Sequence, residues 1–208
     1  MHDKAADPLR SIEWGFASIP LKGEAVSGDS YIIKPFLNSI LMAVVDGLGH
    51  GYEAAAASEI VIATLDTYAH EPIIPLVRRC HEALKGTRGV VMSIASFNLP
   101  DKMMTWLGVG NVEGMLLRAD AKAVISTERL MLRGGVLGYQ LPPLRESIIP
   151  VMQGDTLILV TDGIRSGFEK ELKPGDRPQQ IADGIMARSA RGTDDALVLV
   201  VRVHADKK

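Results

Sequence analysis

Short runs rich in Val, Ile, Leu and Thr, each bounded by Gly, Pro, Asp or Asn, recur along the chain and predict many strands and few helices. The runs fall near Glu13–Ile19, Ser30–Leu37, Ser39–Val45, Gly89–Asn98, Met103–Gly110, Val112–Arg118, Ala123–Thr127, Glu146–Pro150, Asp155–Thr161 and Ala196–Val203. That is enough strand for two sheets. Between the third and fourth runs, Ala54, Ala57, Val61, Leu65 and Tyr68 recur at spacings of three and four, the mark of a helix with one buried face. A second helix follows Pro72 and aligns Ile73, Val77, Cys80 and Leu84, with Pro75 tolerated because it falls in the first turn. A third starts at Pro178 and turns Ile181 and Ile185 inward.

Helices that come as a pair after three strands, and once more before the last strand, do not fit regular βαβ winding. They predict an α+β fold, a β-sandwich of two antiparallel sheets flanked by helices. There is no repeat and no linker long enough to divide the chain, so residues 1–208 are expected to act as a single domain. The stretch Glu169–Arg177, with Pro174 and Gly175, is the expected mobile excursion.

Composition narrows the function classes. The 208 residues carry 23 Lys+Arg against 25 Asp+Glu, a formal charge of −2, and 47% are hydrophobic. A chain of this make-up can bury a core, and it offers no broad basic surface to neutralise phosphates, so no nucleic-acid partner is expected. A lone cysteine, Cys80, cannot form an intramolecular disulfide, and no apolar run approaches membrane-spanning length. With no apolar segment behind Met1, the expectation is a cytoplasmic protein without a membrane partner.

Candidate chemistry lies in aspartates at strand ends. Asp46 directly follows the apolar run Ile40–Val45 and precedes Gly47, and Asp162 follows Thr156–Thr161 and precedes Gly163. Asp29 opens the second strand, and Asp194 and Asp195 precede the last. Asp-Gly is a common turn pair and Asp a common strand terminator, which would account for any one of these. Acids at four strand ends, two in matched strand-Asp-Gly settings, point to a shared cation, because clustered carboxylates repel one another at neutral pH. Carboxylates, a backbone carbonyl and waters, without His or Cys, suit Mg²⁺ or Mn²⁺ rather than zinc.

Other chemistries find no support in the sequence. After five intervening residues Cys80 is followed by Gly86 rather than Arg, so the Cys-x5-Arg loop of a cysteine phosphatase is missing, and Cys80 reads as core. There is no G-x-S-x-G elbow and no His-Glu-x-x-His. The glycines of Gly47-Leu48-Gly49-His50-Gly51 do not keep dinucleotide spacing, leaving a nucleotide-binding regulatory domain as a remote reading. His50, at a helix entry, reads as a local hydrogen-bonding residue, and Trp14 and Trp106 as core aromatics in strands.

The order Ser27-Gly28-Asp29, Asp46-Gly47-Leu48-Gly49-His50-Gly51, Gly108-Val109-Gly110-Asn111, Thr161-Asp162-Gly163, Asp194-Asp195 resembles the metal-dependent protein phosphatases (PPM family), specifically their bacterial SpoIIE-like branch. The resemblance spans nearly the whole chain. Within that branch, the bare domain, Lys85-Gly86-Thr87-Arg88-Gly89 and Val109-Gly110-Asn111-Val112 are most similar to stressosome phosphatases. The resemblance implies an α-β-β-α sandwich and two divalent ions, Mn²⁺ or Mg²⁺, which activate a water for attack on phosphorus. Asp46 would bridge the ions and the Gly47 carbonyl would ligate one of them. Asp162 and Asp194 would complete the shell of the other, and Asp29 would sit near the second ion or its waters. Asp46, Asp162 and Asp194 are thus the implied catalytic set. The implied substrates are phosphoserine and phosphothreonine on phosphorylated stressosome scaffold proteins of the STAS type. A catalytically silent relative that only binds the phosphorylated partner is the alternative.

Two departures stand out. Asp194-Asp195 replaces the Asp-Asn of the eukaryotic type 2C enzymes, and Asp195 is expected to be a surface acid. No residue takes the place of their early phosphate-holding arginine, for which Lys22 is a candidate by its nearness to Asp29 in sequence.

Overall fold

Strands buried on both faces read as unbroken apolar runs, and the computed structural model shows why this chain has several. The structure describes residues 7–120, 126–172 and 175–204. In chain order the elements are β1 (Ile12–Ile19), β2 (Asp29–Phe36), β3 (Ser39–Gly47), α1 (Tyr52–Tyr68), α2 (Ile73–Ala83), β4 (Val90–Asn98), β5 (Met103–Val109), β6 (Glu113–Leu117), β7 (Thr127–Arg129), β8 (Leu132–Arg133), β9 (Ser147–Pro150), β10 (Thr156–Val160), α3 (Pro178–Ser189) and β11 (Ala196–Val203). One sheet has the order β1-β11-β10-β6-β7, the other β2-β3-β4-β5-β8 with β9 paired to β5.

Three apolar layers hold four layers of structure together. Ile40, Met42 and Val44 of β3 meet Leu157, Leu159, Leu197 and Leu199 of β10 and β11 between the sheets. The alternate residues Leu41, Ala43 and Val45 face Val61, Leu65 and Leu76 of α1 and α2. On the opposite outer face, Ile158, Val198 and Val200 pack against Ile181, Ala182 and Ile185 of α3. Strand side chains alternate with period two, so each central strand serves two apolar layers at once. The result is the expected α-β-β-α sandwich.

Several local expectations change. The pairing of β5 with β8 is parallel and spans only Gly108↔Leu132 and Val109↔Arg133, too short for any periodicity in the sequence. Trp106 is core, at 3% exposure, but Trp14 is 41% exposed. Trp14 shares the inward face of β1 with Ile12, but β1 is the edge strand of its sheet, so the ring lies at the open margin of the sandwich. There Phe16 stacks at a tilt on Tyr31, with ring centroids 4.6 Å apart. The strand expected at Ala123–Thr127 begins outside the described residues, and β7 starts at Thr127. Of the stretch Glu169–Arg177, residues 173–174 lie outside the described residues, while the Asp176 carbonyl accepts from Arg202 Nη1 at 2.8 Å. No helix among the described residues is long and apolar enough to cross a membrane.

Candidate metal centre

Antiparallel pairing brings the aspartates to one end of the sandwich. β2 and β3 are joined by a two-residue turn, Leu37-Asn38, which sets the register so that Asp29 at the start of β2 lies opposite Asp46 near the end of β3. In the other sheet β10 runs toward the same end that β11 leaves, so Asp162 and Asp194 flank that edge. Asp46, Asp162 and Asp194 line one cavity of about 440 Å³, together with Leu48, Gly49, Asn111 and a wall at residues 134–136. Asp29 lies behind Asp46, 8% exposed.

The two Asp-Gly steps are demanded by close packing. A Cβ on Gly47 would lie 2.3 Å from the Ala54 carbonyl oxygen, and one on Gly163 would lie 1.9 Å from that of Asp195. Neither glycine has a positive φ. Glycine is therefore needed because a neighbouring backbone runs against it, whereas the sequence suggested a sharp turn. Gly47 stays within β3, its N–H donating to the Gly28 carbonyl at 3.1 Å.

The electrostatics are those of crowded, largely buried carboxyls. Burial, and then the neighbouring aspartates, push the Asp46 carboxyl up to about 8. Burial also raises Asp29 to about 7, against the hydroxyl of Thr161, which donates to Asp29 Oδ2 at 2.7 Å and pulls the other way. Asp162 is raised by burial and by Asp194, and partly restored by Arg191 and by the Asn111 amide, which donates to Asp162 Oδ2 at 2.7 Å. Among the described residues no three acidic, His or Cys side chains close on one another tightly enough to hold an ion by themselves. Side chains from both sheets, backbone oxygen and water would have to share it. That donor set is entirely hard oxygen and fits Mg²⁺ or Mn²⁺, since Mg²⁺ keeps several waters and takes one or two carboxylates.

The remaining candidates separate clearly. Asp195 is not a surface acid. It is 3% exposed, and its carboxylate accepts from the backbone N–H of Leu21 at 2.6 Å and of Gly28 at 2.7 Å, pinning both ends of the β1–β2 loop. Lys22 is exposed and not part of the cavity wall. His50 Nδ1 lies 2.6 Å from Glu24 Oε1, a local pair between two loops. Cys80 is buried, and burial raises its thiol to about 12, which keeps it inert. Asn111 and Thr161 orient Asp162 and Asp29; both stood inside motifs of the sequence, but nothing in those motifs said which carboxylate each would reach. If Asp162 holds a divalent ion, Asn111→Ala is expected to weaken Mn²⁺ binding about 10- to 100-fold, the usual cost of losing an outer partner of a metal ligand. A metal titration of activity checks it.

Comparison with known proteins places this arrangement in context. Residues 38–204 match the sequence model of Stage II sporulation protein E (SpoIIE). The chain is 26% identical over 175 residues to phosphoserine phosphatase RsbX of Bacillus subtilis (strain 168), covering 84% of this chain and 86% of that protein. Its fold matches a solved chain described with the bacterial stressosome, a modular system adapted to control secondary messenger signalling. That match has a TM-score of 0.83 and 28% identity, over 92% of this chain and 99% of the other. It also matches RsbX crystallised with magnesium, at a TM-score of 0.82 and 24% identity, over 92% of this chain and 95% of that one.

Proposed function

The chain belongs to the SpoIIE family, and on that premise we propose that it is a metal-dependent phosphoprotein phosphatase acting on phosphoserine and phosphothreonine. The observation that carries this reading is the meeting of Asp46, Asp162 and Asp194, from two different sheets, on one solvent-open cavity where the Asp46 and Asp162 carboxyls are held above their ordinary range. Buried acids without cations are costly, and a fold that bound nothing would gain no stability from them.

In the proposed site Asp46 would be shared between the ions, the Gly47 carbonyl would help hold one of them, Asp162 and Asp194 would help hold the other, and Asp29 would hold their waters. Two Mg²⁺ or Mn²⁺ ions, when bound, would supply an acidified water for in-line attack and charge to match the phosphoryl oxygens. Asn111 fixes the rotamer of Asp162, and Thr161 that of Asp29. Residues 1–208 act as one such domain. The likeness to RsbX and to a stressosome chain supports substrates among phosphorylated stress-signalling proteins of bacteria, of the STAS scaffold type, encountered in the cytoplasm.

The test is hydrolysis of a phosphoserine peptide with Mn²⁺, with Mg²⁺ and with chelator. Turnover that requires the ion and stops with chelator is expected. Binding of the phosphopeptide without turnover under either ion would replace this reading with the silent binding module.

A further inference from the structure

The motif Lys85-Gly86-Thr87-Arg88-Gly89 is built as a rigid mount for one side chain. Thr87 Oγ1 donates to the Leu84 carbonyl at 2.7 Å and accepts from Gly89 N–H at 3.1 Å, closing a tight turn after α2. The Gly89 carbonyl accepts from Leu48 N–H at 3.1 Å, and the next residue exchanges backbone hydrogen bonds with Leu137. The turn is thereby tied to both the loop that follows Asp46 and the segment that walls the cavity at residues 134–136.

Arg88 projects from this mount over Gly49, a residue of the cavity wall. A Cβ on Gly49 would lie 2.7 Å from Arg88 Nη1, and Gly49 has φ +89°, so any other residue would be strained there and would push the guanidinium aside. The other terminal nitrogen, Nη2, pairs with Glu53 in the first turn of α1. That pair is an exposed one, with side chains 51% and 71% accessible, and such pairs are weak and easily exchanged. On its far side Arg88 borders a second hollow, formed with Glu53, Ala56, Ala57 and Ile60, which leaves it room to turn.

We propose that Arg88 is a substrate-binding residue: it leaves Glu53 and lays its guanidinium fork on the phosphoryl oxygens of the bound phosphomonoester at the rim of the acidic cavity. The proposal rests on the phosphatase reading above. A phosphate dianion offers the two-oxygen face that a guanidinium matches, and it outcompetes a single exposed carboxylate for that fork. Glu53 then acts as the resting partner that keeps Arg88 extended and is displaced when the phosphate arrives.

The experiment is steady-state kinetics of the intact chain with Mn²⁺, on a small aryl phosphate and on a phosphoserine peptide, with inorganic phosphate as inhibitor. Arg88→Ala is expected to raise KM for both substrates and the inhibition constant of phosphate by ~10- to 100-fold, with most of the loss in KM rather than kcat. Arg88→Lys should recover part of this, and Glu53→Gln should lower KM by a few-fold, because the competing carboxylate is gone. A phosphate inhibition constant that does not move in Arg88→Ala, or a KM shift confined to the peptide, overturns the proposal. If the unaltered protein hydrolyses neither substrate, the phosphatase reading fails. Calorimetric titration of inorganic phosphate into the Mn²⁺-loaded protein, with and without Arg88, then decides the phosphate contact separately.

Discussion

Asp46→Asn is expected to abolish Mn²⁺-dependent hydrolysis, by at least about a thousandfold, while making the metal-free protein more stable at pH 8. The first effect follows from position, since Asp46 is the one carboxylate that lines the cavity and also faces Asp29 across the β2–β3 pair. The second follows from linkage. Asp29 and Asp46 keep their protons up to about 7 and about 8 in the folded chain, where an unfolded aspartate has lost its own near 4. The folded state therefore binds more protons across that window, and stability of the metal-free protein falls as pH rises from about 4 to about 8. Asn at position 46 carries no charge to desolvate, which removes that cost. Melting curves of metal-free protein should coincide near pH 3, part as pH rises through about 4, and separate by roughly 5 °C or more near pH 8, with the variant higher. Added Mn²⁺ should raise the melting temperature of the unaltered protein and leave the variant nearly unmoved. A variant less stable than its parent at pH 8 would mean that Asp46 is a structural acid satisfied by the protein itself.

Part of this site could be read directly from the sequence, and for identifiable reasons. β3 shows as an unbroken apolar run because α1 and α2 cover one face and the other sheet covers the second, and the run ends where Asp46 reaches solvent. The facing of Asp29 on Asp46 is implicit in a two-residue hairpin, since the register counts back symmetrically from Leu37-Asn38. The contacts that orient the acids were not legible in the same way. Asn111 reaches Asp162 across 51 residues and Thr161 reaches Asp29 across 132, and no local pattern encodes such pairings. Trp14 failed as a core residue for a related reason: its strand was recognisable, but whether a strand is central or at an edge is decided by the topology of the whole sheet. β8, at two residues, is too short for either period to appear.

Asp195 illustrates how two acids adjacent in sequence take different roles. In the bend just before β11, Asp194 opens to the cavity while Asp195 is buried beneath the β1–β2 loop. Its two oxygens take the N–H groups of Leu21 and Gly28, and the Gly28 carbonyl in turn accepts from Ser58 Oγ at 2.5 Å and from Gly47 N–H at 3.1 Å. The loop so held leads directly into Asp29. Asp195→Ala strips a carboxylate from two backbone donors, each worth ~1.5–3 kcal/mol when the acceptor is charged. Its charge also adds to the repulsion on Asp29 and Asp46, so its removal offsets part of that loss. The variant should melt roughly 6–12 °C lower. Asp195→Asn should recover only part of that, because its amide group offers one acceptor oxygen and sets an NH₂ against the second donor. Both variants should also need more Mn²⁺ for half-maximal activity, since Asp29 loses the support of the loop behind it. A surface acid would move neither the melt nor the metal titration, so an unshifted pair of curves for Asp195→Ala would refute the clamp, and with it the view that the last strand positions the metal centre from below as well as lining it.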